Sequence, residues 1–253
     1  MAGQMTVLVT GATSGFGEAT ARRFVKEGHR VIVTGRRQDR LDKLTRELGT
    51  ASCLPLAFDV GNRAAVAEAM QDLPAAFAKV DVLVNNAGGA LGLDPAQSAN
   101  LDDWDAMIDV NVKGLVYMAR AVLPGMIERG QGLVVNIGSV AGTYPYPGGN
   151  VYGASKSFVH QFSLNLRADV VGTGVRVTSL EPGLVETDFS LVRFKGDKEK
   201  AAKAYAGTKP MNPGDIADMI WWLATLPPHI NVNVLEVMPE KQAFGPFNIK
   251  RDV

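Results

Sequence analysis

Thr10-Gly11-Ala12-Thr13-Ser14-Gly15-Phe16-Gly17 lies between an apolar run, Met5–Thr10, and an amphipathic one, Gly17–Glu27. A strand that ends in glycines and runs directly into a helix leaves backbone N–H groups at the helix N-terminus, where a pyrophosphate binds. Glycines also let the backbone come close to that anion. Gly11, Thr13, Ser14, Gly15, Phe16 and Gly17 are therefore expected to cradle a dinucleotide.

Outward from this turn the chain keeps alternating. Short apolar runs at Met5–Thr10, Arg30–Thr34, Cys53–Phe58, Val82–Asn85, Leu133–Ile137, Val175–Leu180 and Asn233–Val237 read as strands buried on both faces. Amphipathic stretches separate them: Gly17–Glu27, Arg37–Leu48, Arg63–Leu73, Leu101–Glu128, Val151–Val170 and Pro213–Thr225. The order βαβα predicts an α/β fold, a Rossmann-type doubly wound parallel sheet of seven strands with helices on both faces. One domain over residues 1–253 is expected. Two stretches lack the rhythm, a lid at about 187–211 and a C-terminal tail at 239–253, and long irregular segments of this kind are usually functional or disordered.

Composition narrows the function classes. The chain has 26 basic and 26 acidic residues, so no global field attracts nucleic acid or an anionic membrane surface. No apolar run reaches the ~18 residues of a membrane span, and the N-terminus lacks the pattern of a signal peptide, which predicts a cytoplasmic protein. Cys53 is the only cysteine, which excludes an internal disulfide and a multi-cysteine metal site. It reads as a buried strand thiol. His29, His160 and His229 stand at no metal-ligand spacing, so no metal is expected. Trp221-Trp222 reads as core or subunit packing, and the cluster Lys195, Lys198, Lys200 and Lys203 as a solvated part of the lid.

The second strand ends at Gly35-Arg36-Arg37, where NAD-binding domains carry an acidic residue for the ribose. A carboxylate there would repel a 2′-phosphate, whereas Arg36 and Arg37 pair with one, and the cofactor expected is NADP. Asp59-Val60 and Asn86-Ala87-Gly88 follow the third and fourth strands, at the carboxyl edge where ligands gather in open α/β sheets.

Tyr152 and Lys156 are four apart and share one face if Val151–Val170 is a helix. A free phenol has a pKa of ~10; a nearby ammonium and an oxidised nicotinamide are expected to lower it, so that Tyr152 exchanges a proton with a substrate oxygen. Ser139, at the end of the fifth strand, would hold that oxygen by a hydrogen bond.

Thr10–Gly17, Asn85–Gly88, Asn111, Ser139, Tyr152, Lys156 and Pro182-Gly183 together resemble the short-chain dehydrogenase/reductase family over nearly the whole chain. The resemblance implies that Asn111, in a helix, fixes a water linking Lys156 to solvent as a proton relay. It also implies that Tyr152 and Lys156 contact the cofactor and that Pro182, Gly183, Val185 and Thr187 lie beside the nicotinamide. Gly35–Gln38, Asn111–Met118, Gly148–Gly153 and Val192–Asp197 are similar to bacterial NADP-dependent 3-hydroxy acid dehydrogenases acting on serine and allo-threonine, a tetrameric, cytoplasmic group that reduces malonic semialdehyde. The tail Gln242–Asp252 is closer to that of sulfoacetaldehyde reductases. The partner implied is a small anionic hydroxy acid or aldehyde, met by Ser139, Tyr146, Asn150 and Tyr152, with Arg193, Lys195 or Arg251 as the cation. Phe244, Phe247 and Ile249 would dock the tail, placing Phe247 or Arg251 beside a pocket. A non-catalytic redox sensor binding NADP(H) is the alternative of another class, and an intact Ser139, Tyr152 and Lys156 argues against it.

Overall fold

The computed structural model describes residues 3–203 and 205–245. Seven strands form one parallel sheet in the order β3-β2-β1-β4-β5-β6-β7: β1 (Thr6–Val9), β2 (Arg30–Gly35), β3 (Cys53–Ala57), β4 (Val82–Asn85), β5 (Gly132–Ile137), β6 (Val175–Pro182) and β7 (Val234–Val237). The chain runs outward from β1 to β3 and returns to β4 on the other side of β1. Loops after β1 and β4 therefore diverge and leave a crevice at the carboxyl ends, the position where such sheets bind ligands. The expected fold class and all seven strands are present.

Alternate strand residues face opposite sides, so each side collects its own core. Val7, Val9, Val31 and Val33 pack with Phe24 and Leu41 of α1 (Gly15–Lys26) and α2 (Gln38–Leu48), and with Ile216 and Ile220 of α9 (Pro213–Thr225). Leu8, Ile32, Leu83 and Val134 pack on the other side with Val66 of α3 (Arg63–Gln71), Met118 and Met126 of α5 (Leu115–Glu128) and Leu166 of α6 (Asn150–Asp169). Caps fix the helix starts, for example Asn212 and Asp215 in a reciprocal capping box with Pro213 at the first turn of α9.

Several boundaries differ from the sequence reading. The first helix opens at Gly15, two residues early, because the glycine turn is itself the first helical turn. The expected helix Leu101–Glu128 is α4 (Leu101–Ile108), a π-helical turn at Asp109–Gly114, and then α5. A π turn inserts one residue and rotates the face that follows; its buried members here are Asn111 and Gly114. A Cβ on Gly114 would come within 2.6 Å of Val60, so the wide turn and the glycine together let this segment lie against the loop after β3. The lid contains two short helices, α7 (Phe189–Arg193) and α8 (Lys198–Lys203), and Val185 bridges to Met211 at its base. Trp221 packs edge-on to Phe24 at 5.3 Å, while Trp222 is exposed. Cys53 is a buried free thiol, as expected. No described helix is long and apolar enough to cross a membrane, and no described cluster could hold a metal ion.

Candidate active site

The crevice at the β1/β4 divergence is a cavity lined by Gly11, Ser14, Gly15, Phe16, Asn86, Ala87, Gly88, Ser139, Tyr152, Lys156, Pro182, Gly183, Val185 and Thr187. These are residues the sequence nominated. The cavity also includes Gly89, Ile137, Gly138, Asp188, Phe189 and Val192, which it did not. Ile137 and Gly138 directly precede Ser139 and were findable from that spacing. Phe189 and Val192 come from α7, whose one turn is too short to show a periodicity.

The glycines are required by close approach. A side chain on Gly17 would start 2.5 Å from the Gly11 carbonyl and 2.6 Å from Asn86 Nδ2, and one on Gly11 would start 2.9 Å from Ala87 Cα. Asn86 Nδ2 donates to the carbonyls of Thr10 and Gly11 at 2.8 and 3.1 Å, and Thr10 Oγ1 accepts the N–H groups of Asn86 and Ala87. The turn after β1 is thus stitched to the turn after β4. A backbone cradle so close that any Cβ would fill it, at the start of α1, suits a dinucleotide pyrophosphate.

At the end of β2 the two arginines separate. Arg37 Nη2 donates to Thr13 Oγ1 at 2.5 Å and to Ser14 Oγ at 3.5 Å, next to the glycine turn. Arg36 is 73% exposed and lies 3.8 Å from Asp59, so its guanidinium remains open to solvent at the end of β2. Arg36 and Asp59 line a second cavity with Asn62, Arg63 and Asp109. Arg63 adds a cation that sequence reasoning missed, hidden by its position at the start of an ordinary helix. Val60 is buried beneath it.

Tyr152 and Lys156 lie on one face of α6 and are almost fully buried. Lys156 Nζ donates to the Ile137 carbonyl at 2.7 Å and sits 5.9 Å from the Tyr152 ring centre. Burial pushes the Tyr152 phenol up to about 12; a Ser139 hydrogen bond draws it back, Tyr146 raises it and Arg193 lowers it. Burial also lowers the Lys156 ammonium to about 8. In the free chain desolvation of the phenol outweighs the lowering by the Ser139 hydrogen bond and by Arg193.

Ser139 Oγ accepts the Ala141 N–H at 3.1 Å and lies 3.5 Å from the Pro182 carbonyl. Asn111 sits in the π turn, where Oδ1 accepts from Gly89 N–H at 2.9 Å and Nδ2 donates to Gly89 O and to Ser155 Oγ at 2.9 and 3.0 Å. Both Asn111 and Lys156 border Gly88, whose Cβ would start 2.9 Å from Asn111 Oδ1 and 3.6 Å from Lys156 Nζ.

On the substrate side, Arg193 Cζ lies 5.5 Å from the Tyr152 ring centre and 5.4 Å from that of Tyr146. Its Nη2 donates to Tyr146 Oη at 2.8 Å and its Nε to the Gly92 carbonyl at 3.1 Å. Asn150 donates to the Asp94 carbonyl at 3.1 Å and so braces a loop; like Tyr146 and Arg193, it is not among the residues that line the cavity. Lys195 pairs with Asp103 at 2.8 Å while its side chain stays 58% exposed, in keeping with a solvated lysine of the lid. His160 contacts the buried Glu181 at 2.7 Å. In the tail, Gln242 Oε1 accepts from Leu184 N–H at 2.6 Å and Phe244 stacks on Tyr144 at 4.6 Å. Phe247, Ile249 and Arg251 lie outside the described residues.

Residues 5–197 match the short chain dehydrogenase family model, and the chain belongs to that family. It is 60% identical over 248 residues to the NADP-dependent 3-hydroxy acid dehydrogenase of Salmonella typhi, covering 98% of this chain and 100% of that one. It is 52% identical over 247 residues to the serine 3-dehydrogenase of Rhizobium radiobacter, covering 98% of each. A solved structure described as the closed form of serine dehydrogenase complexed with NADP+ superposes with a TM-score of 0.96 at 57% identity, covering 98% of this chain and 100% of that one.

The buried lysine gives a pH signature. A proton binds Lys156 more weakly in the folded chain than in the unfolded one, so folding is penalised below about pH 8. That penalty fades as pH rises towards the ordinary lysine value of 10.5. Between pH 8 and pH 10 the lysine should thus add on the order of 2 kcal/mol to stability. Urea unfolding at steps across this range should show the rise in the parent protein and a flatter curve in Lys156→Met. Parallel curves would refute the assignment.

Proposed function

We propose that this chain is an NADP-dependent oxidoreductase that interconverts the CH–OH and C=O forms of a small 3-hydroxy acid, such as serine, allo-threonine or 3-hydroxypropionate. The observation that carries the acid is Arg193. Its guanidinium lies over the rings of Tyr146 and Tyr152, and it has no carboxylate partner among the described residues. A half-buried cation next to the reacting phenol suits an acid group a few bonds from the reacting carbon, and its planar fork suits a carboxylate.

The chain's own residues divide the work. NADP, when bound, supplies the nicotinamide that exchanges hydride with the substrate carbon. The glycine turn and the start of α1 hold the pyrophosphate, and Arg37 with Thr13 and Ser14 receives the 2′-phosphate. Ser139 orients the substrate oxygen. Tyr152, protonated at neutral pH in the free chain, gives its Oη proton to that oxygen in reduction and takes it back in oxidation. Lys156 supplies positive charge beneath the phenol, and Asn111 holds the Gly88–Gly89 backbone beside it, where a water can complete the relay. The close superposition on a closed NADP+ complex supports reading the lid as closed over the cavity. Coverage of whole relatives by 98% of this chain supports one catalytic domain over residues 1–253. The likeness to the bacterial group supports a cytoplasmic homotetramer.

Tyr152→Phe should reduce turnover by at least a thousandfold while NADP binding, followed by fluorescence titration, stays within about twofold, since the ring is kept and only the proton is lost. Retained turnover would refute its role. In the same titration Arg37→Ala should weaken NADP by roughly 10- to 100-fold, the effect of losing one charged hydrogen-bonding partner, and Arg36→Ala far less. Equal losses would reverse the assignment of the two arginines. Arg193→Ala should raise KM for 3-hydroxypropionate by roughly 10- to 100-fold and leave KM for 1,3-propanediol unchanged. Running 2-hydroxyethanesulfonate alongside separates carboxylate from sulfonate preference, and an unchanged KM for both acids would remove Arg193 from recognition.

A further inference from the structure

We propose that Asp103, on α4 and outside the cavity, is a positioning residue for acid recognition that acts through Lys195 to hold Arg193 over the catalytic phenol. This rests on the reading of Arg193 as the cation for the substrate's acid group. Lys195 Nζ is 2.8 Å from Asp103 Oδ2, with the Asp103 side chain 18% exposed and that of Lys195 58%.

The backbone at Lys195 shows that this pair is more than an incidental surface contact. Helix α7 ends at Arg193, and Lys195 takes φ +52, the left-handed conformation, alone among the described non-glycine residues. Helix ends commonly place glycine there, because a side chain is strained in it. Glycine is available one residue later, at Gly196, yet the strained position is held by lysine. Such strain persists only where the surroundings over-determine it. The surroundings here are the Asp103 carboxylate, the bond from Lys195 N–H to the Val192 carbonyl at 3.0 Å and that from Gly196 N–H to Leu191 O at 2.8 Å.

Two residues before Lys195 the lid is clipped to the loop that leads into α4. The Arg193 carbonyl accepts from Gly92 N–H at 3.0 Å, and Arg193 Nε returns a bond to Gly92 O at 3.1 Å. Asp103 Oδ2 borders the same glycine, 4.0 Å from where its Cβ would stand, and Asp94 Oδ2 is 3.2 Å from that point. The ion pair and the backbone clip thus form one seam between lid and loop. Arg193 leaves this seam to reach Tyr146 and Tyr152. Asp103 is not among the residues that line the cavity, so its influence on an acid passes through the lid.

The test compares Asp103→Asn, Lys195→Gly and the charge swap Asp103→Lys with Lys195→Asp, each checked for an unchanged melting temperature. Asp103→Asn should raise KM for 3-hydroxypropionate roughly two- to fivefold, the range an exposed ion pair supports. Its KM for 1,3-propanediol and its NADP affinity by titration should match the parent. Lys195→Gly should do the same although it relieves the backbone, and the charge swap should bring the acid KM back to within twofold of the parent. An unchanged acid KM, equal rises for acid and diol, or a swap that fails to restore would each overturn the proposal. If Arg193→Ala also leaves the acid KM unchanged, the reading of Arg193 falls and takes this inference with it. A rise in Arg193→Ala without one in Asp103→Asn overturns the inference alone.

Discussion

The structure depends on the contact between the turn after β1 and the turn after β4. These strands are neighbours in the sheet although about 70 residues separate them, and the chain leaves them in opposite directions. Asn86 and Thr10 tie the two turns with four hydrogen bonds, and Gly11 and Gly17 make room for them. Loss of this seam would leave buried amide and carbonyl groups without partners, which is costly away from water. With it, the start of α1, the Asn86–Gly89 strip and the crevice between them hold a fixed relation.

A second set of contacts brings the chemistry to that crevice. Lys156 donates to the carbonyl of Ile137, so α6 is anchored by its own lysine to the end of β5, and Ser139 follows two residues later. Asn111 reaches Gly89 from the π turn and Ser155 from the same side, which ties the Asn86–Gly89 strip to α6. These bonds join three elements through side chains that a structural account alone would call core polar groups. Desolvation then acts in opposite directions on the two titratable members, raising the phenol and lowering the ammonium. The free chain therefore keeps Tyr152 protonated.

The recognition side is built differently. Ser139, Tyr152 and Lys156 stand on a strand end and a long helix, whereas Arg193 stands on a five-residue helix in the lid. Arg193 is held by the Gly92 clip and the Tyr146 hydroxyl, and Lys195 two residues on pairs with Asp103 of α4. Segments of this kind have lower local stability than the sheet, as a cover that must admit substrate requires.

The sequence by itself determined the fold class, the seven strands, the glycine turn and the nomination of Ser139, Tyr152 and Lys156, which line one cavity, because each rests on a local rule. Strand burial shows as apolar runs, phosphate binding as glycines at a strand-to-helix junction, and a shared helix face as a spacing of four. Tertiary structure alone decided what depends on partners distant in sequence. The break of Leu101–Glu128 into two helices around a π turn follows from the packing of Gly114 against Val60, about 50 residues away. The different surroundings of Arg36 and Arg37 follow from Asp59 on one side and Thr13 on the other. The rise of the Tyr152 phenol to about 12 is a burial effect, and burial is a property of the assembled chain. Lys195 is solvated as its charged neighbours suggested, but its pairing with Asp103, 92 residues away, is one that no periodicity connects to it.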